Sequence, residues 1–133
     1  MACKKLKQMI IVIHDLEQVR KEWSFDFDGL LFQAFMASMT REMKRSGVEL
    51  TVVRNRDVRI AINSYNDLLN AVKVSSAQDG QSNRCIGHII GKSPNLDIME
   101  DIAAAVRRMA FAPETVAPAD EFRKVCHNCG CGC

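Results

Sequence analysis

Four of the six cysteines in this sequence fall within its last eight residues, Cys126-His127-Asn128-Cys129-Gly130-Cys131-Gly132-Cys133. Cys126 and Cys129 form a C-x-x-C pair, and Cys129, Cys131 and Cys133 form two overlapping C-G-C pairs. Thiolate sulfur is a soft donor, suited to Zn²⁺, Cu⁺ and iron–sulfur clusters. A tetrahedral zinc site needs Zn–S distances of about 2.3 Å. A C-x-x-C turn brings two sulfurs to one ion, and Gly130 and Gly132 let the backbone fold tightly enough for the C-x-C sulfurs to join. Four sulfurs so close in sequence crowd a single ion. Three of them completed by His127, by a thiol elsewhere or by a second chain make an easier site. The expected metal ligands are therefore Cys126, Cys129, Cys131 and Cys133, with His127 as a further donor.

The same cysteines also suit thiol–disulfide exchange. Vicinal dithiols react by thiolate attack, and Arg123, Lys124 and His127 would favour the thiolate form. A Cys-Gly-Cys ending is also one on which some small GTPases are prenylated. The four-residue C-a-a-X box is not met, because Gly130 and Gly132 are not aliphatic.

Four other places hold residues capable of chemistry. Gly87-His88-Ile89-Ile90-Gly91-Lys92-Ser93 ends like a phosphate-binding loop but is one residue short of G-x-x-x-x-G-K-[ST], so a loop capped by Ser93 and Pro94 is expected. His14-Asp15 lies where a first strand ends, a frequent position for functional side chains, although such a pair more often caps the following turn. His88 is a candidate of the same standing. Arg54, Arg56 and Arg59 cluster where a hairpin turn is expected and can meet phosphates, but no aromatic residue interleaves with them to stack bases.

The elements that must position these groups follow from periodicity. Met9 to Ile13 is a continuous β-rich run, which predicts a strand covered on both faces. Leu16, Val19 and Trp23 are spaced for a short helical turn. Asp28-Gly29 opens a helix with the stripe Leu31, Phe32, Phe35, Met36, Met39 and Met43, read as core, and Gly47 stops it. Val48, Leu50 and Val52, then Val58, Ile60 and Ile62 after Asn55-Arg56-Asp57, predict a β-hairpin. Ser64 and Asp67 resemble a capping box for a helix burying Leu68, Leu69 and Val72. Ser75 to Asn83 reads as a loop and Cys85 to Ile90 as a last strand. A helix after Ser93-Pro94-Asn95, with Asp97, Glu100 and Asp101 at its start, buries Ile98, Ile102, Ala105, Val106 and Met109. Pro113 ends it.

The predicted fold class is α+β: a ferredoxin-like split βαββαβ sheet with an additional C-terminal helix and a flexible cysteine-rich tail. The expected layout is a compact domain over 1–111, a Pro/Ala-rich linker over 112–120 and the tail over 121–133. That fold serves many functions and names none.

Composition bounds the rest. A length of 133 residues suits one domain, and 47% apolar content supplies a core. A net charge of only +2 argues against nucleic acid as the partner. No apolar run approaches the roughly 18 residues of a membrane span, and no secretory layout opens the chain. Clustered cysteines without a disulfide-like spacing fit a reducing, cytoplasmic setting. Taken together, the sequence predicts a small non-enzymatic metal-handling or metal-sensing protein. Its partner would be another protein or a second copy of itself. A redox carrier and an interaction module with a secondary tail are the alternatives.

Overall fold

A computed structural model describes residues 7–18, 25–62, 64–91 and 96–116. The chain runs β1 (Lys7–Gln18), α1 (Leu30–Arg45), β2 (Val48–Ile62), α2 (Tyr65–Asn70), β3 (Val72–Ser76), β4 (Gln81–Cys85), α3 (Ile86–Ile90) and α4 (Ile98–Phe111). The architecture is mixed α+β. Its sheet has the order β2-β1-β3-β4, with β1 and β2 parallel and the β1–β3 and β3–β4 pairs antiparallel. Among the described residues no helix is long and apolar enough to cross a membrane.

This sheet differs from the predicted split βαββαβ arrangement, in which all neighbouring strands are antiparallel. Two local causes account for it. The predicted hairpin is one strand: β2 keeps its direction through Asn55-Arg56-Asp57, and the register steps from His14↔Asn55 to Asp15↔Arg59. Residues 56–58 are looped out as a bulge rather than reversing the chain. The Asn55 side chain accepts from the Asp57 backbone N–H at 2.9 Å, which is the local bonding that made the segment look like a turn. The second cause is that Val72, expected on a helix face, opens β3. The expected loop is a tight β3–β4 hairpin, turned at Ala77–Asp79 and closed by Gly80 in the left-handed region (φ 69°). The expected strand Cys85 to Ile90 is only the end of β4, followed by α3.

Met9, Ile11 and Ile13 of β1 are fully buried, with Val72 and Val74 of β3 beside Ile13 and Ile11. The alternate residue Ile10 is 43% exposed. The first strand is therefore covered on one face, not two, since an unbroken apolar run carries no alternation to reveal its open side. Phe32, Met36, Met39 and Met43 of α1 pack on the covered face as predicted, while Leu31 is 71% exposed and leaves the stripe. A Cβ at Gly29 would approach Asp26 Oδ2 to 3.0 Å, so glycine suits the start of α1. Leu16 lies in β1, and Val19 and Trp23 fall outside the described residues.

Ser64 makes no side-chain cap on α2. Asp97 caps α4, accepting from the backbone N–H groups of Met99 and Glu100 at 3.0 and 3.3 Å. Inside the core the Tyr65 hydroxyl donates to buried Asp101. Lys7 donates to the carbonyls of Met109 and Ala110 at 3.0 and 2.9 Å, a cation at the C-terminal end of α4. Arg107 grips Glu42 with two bonds of 2.8 and 2.9 Å, tying α4 to α1. The segment expected to begin a linker is folded over its first part: Pro113–Thr115 form a 3₁₀ turn and Val116 is in the core.

Candidate functional site

The predicted metal ligands Cys126, His127, Cys129, Cys131 and Cys133 lie outside the described residues, as do Cys3, Lys92 and Ser93. Among the described residues no three His, Cys, Asp or Glu side chains converge on a metal-sized position. Cys85 is buried at the start of α3. It shares a cavity of about 400 Å³ with His88, Asp67 and Asn70. The stretch resembling a phosphate loop is a short helix over Ile86–Ile90 rather than an open loop, and the Gly91 N–H donates back to the Gly87 carbonyl at 2.9 Å.

The groups that do converge are Asp15, the second residue of the His14-Asp15 pair, and the three arginines, at the β1–β2 register break. Because β2 loops out there, Arg54 and Arg56 both reach Asp15 of the neighbouring strand. Arg54 Nη2 donates to Asp15 Oδ1 at 2.7 Å and Arg56 Nη1 donates to the same oxygen at 3.2 Å. Asp28, just before α1, takes a second bond from each: Arg56 Nη2 at 3.0 Å and Arg54 Nη2 at 3.5 Å. The Arg56 bond holds the Asp28 carboxyl below its ordinary pKa, and Asp28 in turn raises the Arg56 guanidinium. Asp26 Oδ1 accepts from the Asp28 backbone N–H at 3.0 Å and so fixes the approach to the site.

Asp15, Asp26, Asp28, Arg54, Arg56 and Arg59 line a cavity of about 310 Å³. Phe25 and Phe27 line it too, with ring centroids 4.9 Å apart, and Phe27 stacks edge-on against Phe32 at 5.0 Å. Nothing in the residues flanking the arginines announced these rings, because they come from the segment before α1. Arg54 Nε and Nη1 are buried with no hydrogen-bond partner among the described residues. His14, on the adjoining position of β1, is buried as well. Its backbone N–H donates to the Ala71 carbonyl at 2.8 Å, and its Nδ1 has no hydrogen-bond partner among the described residues. Burial first, then the charges of Lys73 and Arg54, push its pKa down, so neutral imidazole is favoured.

A second cavity of about 320 Å³ opens between α1 and β2, walled by Ile13, Phe32, Met36, Ala37, Thr40 and Val52. Phe27, Asp28 and Arg54 line both cavities. The combined site is a charged mouth, electrically balanced by three arginines and three aspartates, beside an apolar groove. It offers guanidinium donors, and the carboxylates of Asp15 and Asp28 are tied to them. No family model, curated protein or solved structure matches this chain.

Proposed function

We propose that this chain is a small cytoplasmic, non-enzymatic metal-handling or metal-sensing protein. It takes up a thiophilic ion, Zn²⁺ or Cu⁺, or an iron–sulfur cluster, on Cys126, Cys129, Cys131 and Cys133, with His127 as a further donor. The observation that carries this proposal is four sulfur donors within eight residues, spaced C-x-x-C-x-C-x-C. That donor set fits soft metals and not Ca²⁺ or Mg²⁺, which take oxygen. A second copy of the chain, or another protein, supplies whatever ligand the tail does not.

The test is the metal content of the full chain purified without added metal or chelator, set beside a Cys129→Ser/Cys131→Ser protein. About one thiophilic ion or cluster per one or two chains is expected, falling to near zero on substitution. A metal-free native protein, or equal metal in both, overturns the proposal. A metal-free protein with an intrachain tail disulfide, found by alkylation and mass spectrometry, identifies a redox carrier instead. Absence of both leaves an interaction module.

A further inference from the structure

Val52 pairs in register with Ile11 and so belongs to the helix-covered face of the sheet, yet it is 39% exposed while Ile11 is fully buried. Among the described residues, the Val52 end of the β2 face toward α1 is therefore left open, as a groove bounded by Phe32, Met36 and Ala37. At one end of this groove stands Arg54. Nη2 is engaged on Asp15 and Asp28, while Nε and Nη1 are buried and have no hydrogen-bond partner among the described residues. A buried donor without an acceptor is costly, and such groups in a folded protein commonly await a ligand or water. Asp28 has both carboxylate oxygens on arginines, which mutes its repulsion of an incoming anion. Arg59, on the far side of the charged mouth, is exposed and has no ion-pair partner among the described residues.

We propose that this groove binds an amphipathic carboxylate, its apolar chain lying between α1 and β2 against Met36 and Val52, and its carboxylate accepting from the free N–H groups of Arg54. The polarity of the two cavities sets this orientation. The apolar one takes the chain, which is removed from water, and the shared guanidinium takes the head through charge-assisted hydrogen bonds. A purely polar anion such as phosphate gains nothing from the apolar groove, and in the mouth the three aspartates offset its attraction to the three arginines. An uncharged alcohol of the same chain length offers Arg54 one neutral acceptor oxygen in place of two anionic ones, and so binds it more weakly.

The experiment is calorimetric titration of the full chain with decanoate, with decanol and acetate as the head-deleted and chain-deleted controls. Decanoate should bind saturably, and each control at least roughly tenfold more weakly. Arg54→Gln should weaken decanoate by a similar factor. Because Arg54 also holds Asp15 and Asp28, a second variant keeps the test independent of folding: Ala37→Phe, at an exposed position of α1, fills the groove and should block decanoate while leaving the thermal transition in place. Failure of decanoate to bind, equal binding of decanol, or unchanged binding to folded Ala37→Phe overturns the proposal.

Discussion

Asp15 and Arg54 meet across a break in strand register, the Arg54 guanidinium donating to the carboxylate at 2.7 Å from the paired stretch of β2 just before the break. Both side chains are mostly shielded, with 22% of each exposed, and Arg56 joins from the bulge itself. The bulge and the ion-pair cluster are thus one device: looping out residues 56–58 is what lets two arginines of one strand address a single aspartate of the next.

Replacing Asp15 by Asn keeps the shape and removes the charge that both arginines share. Stability should fall by about 1–3 kcal/mol, the usual cost of weakening hydrogen bonds to charged groups. Urea unfolding measures it. A midpoint identical to that of the native chain would mean the cluster is solvated and contributes nothing.

Acid should destabilise the domain in two stages. Burial, Lys73 and Arg54 hold His14 below its ordinary value, so the folded state resists protonation that the unfolded chain accepts. A depressed folded pKa contributes stability above the unfolded value, and that contribution is lost as pH falls, here from about 6.5 downward. Asp79, lowered by Lys7 and Ser76, and Asp28 and Glu42, lowered by Arg56 and Arg107, follow the same sign below about pH 4. Unfolding free energy against pH should decline through both ranges. In His14→Gln the slope between pH 7 and 5 should shrink, and a native-like slope there would assign it to other groups.

Tyr65→Phe leaves buried Asp101 without the hydroxyl that donates to it. A loss of about 1–3 kcal/mol is expected from an unsatisfied buried acceptor. Denaturation at neutral pH gives the value directly, and an unchanged midpoint would show that the carboxylate finds another donor.

Truncation after Ala119 should leave the thermal transition little altered, since α4 ends at Phe111 and Val116 is the last core residue among the described ones. Truncation after Phe111 should not. It removes Val116 from the core and Thr115 from Arg108, whose Nε donates to the Thr115 hydroxyl at 2.7 Å. Calorimetric scans of the two shortened chains distinguish these outcomes, and loss of folding in the longer one would mean that residues beyond 119 are needed by the domain.

The elements legible from sequence were those whose own residues carry both period and punctuation. The helix from Leu30 has Phe32, Met36, Met39 and Met43 on one side and Gly47 at its end, and the helix from Ile98 has Asp97 as its cap. β3 and β4 were not legible, because Val72–Ser76 carries a buried lysine and Gln81–Cys85 is polar until its last residue. Asn55-Arg56-Asp57 has turn chemistry in either setting, and only the parallel partner strand decides that it is a bulge. The arginine cluster was visible as charge. Its site was not, since Asp15 lies 39 positions from Arg54 and Asp28 lies 28 from Arg56.

The central claim concerns the tail, and proton-coupled zinc uptake tests it most directly. Reduced, metal-free full-length protein in weak buffer should bind Zn²⁺ saturably and release about two or more protons per ion, because thiols ionise as they coordinate. Cys129→Ser/Cys131→Ser should lose most of both signals. Equal uptake by the substituted protein, or uptake by the native chain without proton release, would contradict metal binding by these cysteines.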